Sequence, residues 1–314
     1  MMASLNSHAK DLSRFWKDRI LWDFPMAQFS TLKVGGPAEA IISATKVSDL
    51  KRLIQWLNAH DIGWWILGRG SNILVPDSGL AGVIIGLEGE LSSIEKFAVS
   101  PARRDEEHVF IRAGGGCLLS KLVNYCTGHS LSGLEFAVGI PGSIGGAIIM
   151  NAGAWGYEIG NLVHGVLLMD SSGKTYSESG ENLGFSYRKW SMPPDTVLLS
   201  ATFSLTVGDK DDIKSRCKKY LELRRANQPF AEASAGSFFK NPPADSAGRL
   251  IEEAGLKGLS IGGAKISEKH ANFIVNTGKA TATDILNLAQ VVQQEVFKRF
   301  GIKLEPEVHI LGGK

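Results

Sequence analysis

Cysteine is scarce in this chain: Cys117, Cys126 and Cys217 are all that 314 residues contain, with no C-x-x-C spacing and an odd one left over. That usage argues against a disulfide framework and suits a reducing cytoplasm. The seven histidines show no H-x-x-x-H or H-x-H pairing, so a metal site has little support. Charge of one sign is missing as well. A net charge of +2 from 34 basic and 32 acidic residues gives no broad basic field, which removes the electrostatic argument for a nucleic-acid or membrane-surface partner. Long apolar runs are absent, since no stretch approaches the roughly 18 residues of a membrane span. The N-terminus carries Asp11, Arg14, Lys17, Asp18 and Arg19 where a signal peptide needs an apolar run. A cytosolic, unanchored protein is expected.

Glycine is what the chain has in excess, 36 residues against a usual share of roughly 7%. The length predicts roughly two domains of about 150 residues, large enough to bury a core without staples. "AEAIIS" reads as a strand, "VSDLKRLIQWLNAH" as a helix with Leu50, Leu53, Ile54 and Leu57 on one face, and "WWIL" as a returning strand. A glycine loop and the strand of "GLAGVIIGL" follow. From about 91 to 207 the pattern is mostly short strands, "SIEKFA", "HVFIRA", "LVHGVLLMD", "KTYSES" and "TVLLSATFSLTV", with one helix near 118–129. After Val207 the composition shifts to a charged helix, a short helix "AGRLIEEAG", a strand "FIV", a helix started by Thr283 and Asp284 and running to Phe300, and a final strand "LEPEVHIL". The shift at 207 is the expected domain boundary.

Chemistry is concentrated in a few loops. "LGRGSNILVPD" sets Gly68 and Gly70 around Arg69, followed by Ser71 and Asn72. Glycines let backbone N–H groups approach an anion, and Arg, Ser and Asn add donors, as pyrophosphate binding requires; a plain tight turn is the other reading. No G-K-[ST] follows, and Ile73 stands where a Rossmann fingerprint needs its third glycine. "GLEFAVGIPGSIGGAIIMNAGAWG" is a second such loop, with Gly139, Gly142, Ser143, Gly145, Gly146, Asn151 and Gly153. Two loops of this kind can grip the two ends of an extended nucleotide cofactor. In "FSYRKW", Arg188 beside Tyr187 is either a bidentate carboxylate or phosphate holder or a surface stack. Glu307 in "LEPEVHIL" is by default a solvated carboxylate at the start of a strand. Ser237 in "ASAGSFFKNPP" lacks the G-x-S-x-G context of a nucleophile.

Together "TLKVGGPAE", "LGRGSNILVPD", "GLEFAVGIPGSIGGAIIMNAGAWG", "FSYRKW", "SAGSFFKNP", "ISEKHANFIVN" and "LEPEVHILG" resemble, in order and over nearly the whole chain, the UDP-N-acetylenolpyruvoylglucosamine reductases. The resemblance implies an α+β fold: a two-lobed FAD-binding region of the vanillyl-alcohol-oxidase/p-cresol-methylhydroxylase type, lobes 1–87 and 88–207, then an α/β substrate-binding domain, 208–314, whose final strand carries Glu307. It implies non-covalent FAD, NADPH as hydride donor, and UDP-N-acetylglucosamine enolpyruvate as the substrate reduced to UDP-N-acetylmuramate for peptidoglycan. No nucleic acid, membrane or obligatory protein partner is expected.

By motif position, Gly68, Arg69, Gly70, Ser71, Asn72, Gly142, Ser143, Gly146, Asn151 and Gly153 are the implied FAD contacts. Arg188, Ser237 and Glu307 are the implied catalytic set, and Tyr187, Lys240 and Asn241 the implied substrate contacts. The reaction explains these residue types. Hydride addition to the terminal carbon of an enolpyruvyl ether leaves a carbanion beside a carboxylate, so a fixed cation (Arg188) and a protonated carboxyl (Glu307) stabilise it. A hydroxyl (Ser237) then delivers the proton with no histidine needed. Phe238 and Phe239 are expected to pack. Between Arg188 and Ser237 only one strand and one helix are expected, which matches the shorter, type II branch. The tyrosine-bearing insert of the other branch is missing, and Gln228 stands near the place of its lysine. A superfamily flavin oxidase and a noncatalytic flavin- or nucleotide-sugar-binding regulator are the competing readings.

Overall fold

Apolar residues recur at helical spacing in "VSDLKRLIQWLNA", and the segment forms the helix Val47–Ala59 with Leu50, Leu53, Ile54 and Leu57 buried. The strand Pro37–Ala44 precedes it. Trp64–Ile66 follows and lies parallel to Leu80–Leu87, with Trp64 opposite Val83 and Ile66 opposite Ile85. The expected strand–helix–strand unit is therefore present, and Pro37–Ala44, Leu80–Leu87 and Trp64–Ile66 follow in that order across one sheet. These elements belong to a computed structural model that describes residues 5–100 and 108–312.

Contacts gather the chain into two units. One comprises Met1–Leu21, Ile41–Gly68 and Gly82–Leu223, the other Trp22–Ala40, Arg69–Ala81 and Arg224–Lys314. The charged helix expected after Val207 is Lys210–Asn227, which begins where the composition shifts, whereas the contact division falls between Leu223 and Arg224. Compactness and composition thus divide the chain at different places.

The first unit is built on an antiparallel sheet in the order Thr175–Ser179, Val163–Asp170, Thr196–Val207, His108–Gly114, Ile94–Ser100, with Leu131–Ser132 against the end of Thr196–Val207. Strand periodicity turns Ala201, Phe203 and Leu205 inward. The helix Leu119–Gly128 buries Leu119, Leu122, Val123 and Cys126 in the same core.

The second unit has a four-stranded sheet in the order Ala233–Ser234, Ile274–Asn276, Ala264–Ile266, Ser260–Ile261, packed with the helices Ala247–Glu253 and Ala282–Phe300. Phe238 and Phe239 sit in its core at 2% and 1% exposure, ring centroids 5.2 Å apart, so both rings pack as expected. Burial of each contributes about 1.5–3 kcal/mol.

Two element readings need correction. The helix expected to start at Thr283 and Asp284 is capped by Thr281, which forms a capping box with Asp284, while Thr283 donates to Asp77. The stretch "LEPEVHIL" is a strand only at His309–Ile310, parallel to Ile73–Leu74. Pro306 makes an isolated bridge to Phe239, outside that ladder, so Glu307 precedes the strand rather than opening it. Among the described residues no helix is long and apolar enough to cross a membrane.

Candidate active site

In the first unit three glycine segments meet. A Cβ on Gly68 would collide with Ser143 Oγ, so the glycine of the first loop is packed directly on the serine of the second. Ser143 is buried and its Oγ accepts the N–H of Gly146 at 3.3 Å, capping the short helix Ile144–Ile149. Gly145 N–H donates to the Gly115 carbonyl and Ile144 N–H to that of Cys117, both at 2.8 Å, and Leu119 N–H donates to Gly142 at 3.0 Å. The run Gly114–Gly115–Gly116 is the third segment, and sequence reasoning missed it. A Cβ at any of the three would strike a backbone carbonyl, of Leu91, Leu198 and Leu87 in turn. The signal was available in the bare run of glycines at the end of the strand His108–Gly114. Gly142 at φ 128° takes a conformation that favours glycine, and beside Gly146 a Cβ would meet only Ser143 Oγ at 3.6 Å. Bare backbone flanked by a serine suits the close approach of a dinucleotide's phosphates, so these residues fit FAD.

Arg188 is also in this unit, in the two-residue turn of the hairpin Phe185–Ser186 and Lys189–Trp190. Its φ of 54° is left-handed, a conformation that costs a side-chain-bearing residue roughly 1–2 kcal/mol. Its guanidinium lies 5.0 Å from the ring centre of Tyr187, and Nη2 donates to the Gly153 carbonyl at 3.1 Å. Asn151, expected among the cofactor contacts, is 1% exposed and directs its amide to Glu158, Ser186 and Gly160.

Arg69, Gly70, Ser71 and Asn72 fall in the second unit. The Gly70 carbonyl accepts from Thr31 N–H at 3.0 Å, and a Cβ there would stand 2.9 Å from Phe29 Cδ1. Asn72 Nδ2 donates to the Glu307 carbonyl at 3.0 Å, and His309 N–H donates to the Asn72 carbonyl at 3.0 Å. Asn72 therefore tethers the segment that carries Glu307.

The segments that carry Ser237 and Glu307 are joined through the backbone. Glu307 N–H donates to the Phe238 carbonyl and Lys240 N–H to that of Glu305, both at 2.8 Å. On the other side Asn272 holds the serine segment. Phe238 N–H donates to its carbonyl at 2.7 Å, Phe239 N–H to its Oδ1 at 2.9 Å, and its Nδ2 donates to the Phe239 carbonyl at 2.8 Å. Ser237, half-buried, lines a cleft of about 370 Å³ with Asn241, Arg249, Lys269, His270 and Asn272 among its walls. Asn241 Oδ1 accepts from Ala247 N–H at 3.0 Å, and Arg249 is held by Asp245 and Glu253. Lys240, an expected phosphate partner, stands 3.6 Å from the exposed Glu305 carboxylate. Gln228 accepts from Arg224 Nη1 at 3.2 Å.

His270 and Asn272 lie in "ISEKHANFIVN", and the sequence alone gives neither a role. Burial pushes the His270 pKa down, and its Nδ1 accepts the N–H of Asn272 at 3.2 Å. Burial thus disfavours the charged ring, and Nδ1 serves as an acceptor.

Residues 38–178 match the family model described as FAD binding domain, and residues 228–311 match that of the UDP-N-acetylenolpyruvoylglucosamine reductase C-terminal domain. Glycine loops that suit a dinucleotide, joined to that match, define an FAD-dependent oxidoreductase. The UDP-N-acetylenolpyruvoylglucosamine reductase of Desulfosudis oleivorans is 40% identical over 311 residues, 96% of this chain and 97% of the relative. That of Geotalea uraniireducens is 43% identical over 288 residues, 92% of each. The crystal structure of the Thermus caldophilus reductase is 36% identical and superposes with a TM-score of 0.77 over 93% of this chain and 97% of that one. The chain belongs to the UDP-N-acetylenolpyruvoylglucosamine reductase family.

Proposed function

We propose that this protein reduces the enolpyruvyl group of UDP-N-acetylglucosamine enolpyruvate to UDP-N-acetylmuramate, with NADPH as the source of hydride. The observation that carries the reading is the juxtaposition of the Ser237 and Glu307 segments through Phe238, with Asn272 bracing the serine side, inside the stretch that matches the family's C-terminal domain. When bound, FAD supplies the two-electron chemistry that accepts hydride from NADPH and passes it to the substrate.

The chain's own residues handle the charge. Hydride on the terminal carbon leaves negative charge delocalised from the adjacent carbon into the carboxylate. Arg188, fixed by a left-handed backbone and by Gly153, supplies the cation, and Glu307 the hydrogen-bond donor to the carboxylate oxygens. Ser237 Oγ gives its proton to the carbanion carbon, a transfer such a base drives without prior activation of the hydroxyl. Gly68, Arg69, Gly70, Ser71, Asn72, Gly142, Ser143, Gly146 and Gly153 are the residues we assign to FAD, and Tyr187, Lys240 and Asn241 to substrate. Residues 1–87 and 88–207 are the two cofactor lobes and 208–314 the substrate domain in this reading. A cytoplasmic location fits both the free thiols and the nucleotide-linked substrate.

The test follows the flavin colour of the purified protein in the absence of oxygen. NADPH should bleach it and UDP-N-acetylglucosamine enolpyruvate should restore it. Bleaching with no return on adding the enolpyruvyl substrate would refute the assignment.

A further inference from the structure

One amide joins the loop 150–160 to the hairpin that carries Arg188. Asn151 Nδ2 donates both of its hydrogens, to the Ser186 carbonyl at 2.9 Å and to Glu158 Oε2 at 2.8 Å, while its Oδ1 accepts the N–H of Gly160 at 2.9 Å. Ser186 faces Lys189 across the turn that Tyr187 and Arg188 make, and Arg188 Nη2 returns to the carbonyl of Gly153, two residues beyond Asn151. The two segments are thus tied at both ends, once by Asn151 and once by Arg188 itself.

Local sequence agrees with this arrangement. A Cβ at Gly153 would stand 2.5 Å from the Tyr157 carbonyl and 3.1 Å from Arg188 Nη1, and one at Gly160 would stand 2.8 Å from Asn151 Oδ1. Both glycines leave the space the ties need. Asn151 itself has φ 40°, which asparagine tolerates better than most residues, and a short amide alone offers two donors and an acceptor at this reach.

The structure assigns Asn151 as a positioning residue for Arg188: it holds the hairpin so that the guanidinium keeps one orientation during the reaction, rather than touching the cofactor. The assignment rests on the reading of Arg188 as the cation that stabilises the carbanion.

Anaerobic stopped-flow on flavin-loaded Asn151→Ala, Arg188→Ala and the double variant tests it. Misplacement of a catalytic group costs up to about 100-fold. Asn151→Ala should therefore slow the return of flavin colour with enolpyruvyl substrate by roughly 10- to 100-fold, with flavin content and bleaching by NADPH within about twofold of the parent. The double variant should be no slower than Arg188→Ala alone. Multiplying losses, a wild-type rate of return in Asn151→Ala, or loss of bound flavin with no specific effect on that step would overturn the assignment. An Arg188→Ala enzyme that restores colour normally would instead defeat the underlying reading of Arg188. Should Asn151→Ala not fold, Glu158→Ala removes one of the three ties. A slowed return that does not compound with Arg188→Ala supports the assignment, and an unchanged one contradicts it.

Discussion

Asn272 shows at the scale of one residue how the serine segment is kept in place. Its side chain closes two hydrogen bonds on Phe239, accepting the N–H at 2.9 Å and donating to the carbonyl at 2.8 Å, in surroundings that leave Asn272 only 2% exposed. Asn272→Ala strands both backbone groups of Phe239 away from water, and each stranded group costs about 1–3 kcal/mol. The melting temperature should fall by roughly 5–10 °C, with turnover reduced in the fraction that stays folded. Asn272→Asp keeps the acceptor but sets a buried carboxylate oxygen against the Phe239 carbonyl, so it should lose at least as much. Thermal unfolding followed by circular dichroism decides, and an unchanged melting temperature in Asn272→Ala would show that the two bonds contribute nothing. Ser237, Arg188 and Glu307 stand in distinctive strings, so roles for them can be proposed from the sequence. The hydrogen bonds of Asn272 and Asn151 could not be read from the sequence, because partners 33 or 35 residues away leave no local trace.

At the scale of elements, the helix Ala282–Phe300 depends on a residue far away in the chain. Asp77 accepts the N–H groups of Ala282 and Thr283 at 2.8 and 2.9 Å and the Thr283 hydroxyl at 2.7 Å, adding to the capping box of Thr281 and Asp284. Burial alone would raise the Asp77 pKa, but the hydrogen bonds from Thr283 and Ala282 outweigh it and hold the carboxyl below its usual range. A depressed folded-state pKa means stability that is present above the unfolded value of about 4 and lost as pH falls through the folded one. Asp77→Ala should therefore cost about 1 kcal/mol at pH 7, the usual value of a cap. The gap between variant and parent should close as the pH is lowered below about 4, since the parent then loses the same interaction. Urea titrations at pH 7 and pH 3 measure both numbers, and an equal gap at the two values would contradict the account.

Elements with strong periodicity were legible: Val47–Ala59 and Thr196–Val207 lie where the pattern of apolar residues placed them. The C-terminal stretch was not, because the apolar alternation of "LEPEVHIL" does not reveal that Pro306 bridges to Phe239 while only His309 and Ile310 pair with Ile73 and Leu74. The start of Ala282–Phe300 was misjudged for a related reason. "TATD" offers two threonines, and only the geometry of the turn selects Thr281 as the cap.

Across the whole molecule, the contact grouping draws residues from three separated stretches into each unit. A boundary read from composition is a single cut in the chain, so it could not foresee that 22–40 and 69–81 group with 224–314. The ordered series of motifs spans both units and agrees with the family matches at 38–178 and 228–311. The central claim is that Ser237 is the proton donor of the second half-reaction. Its most direct measurement is single-turnover stopped-flow of Ser237→Ala, reduced without oxygen by NADPH and then mixed with UDP-N-acetylglucosamine enolpyruvate. The rate of bleaching should stay within about twofold of the parent, while the return of colour with product formation slows by roughly 10²- to 10⁴-fold, the usual loss of a general acid. Product formation at the parental rate would contradict the account.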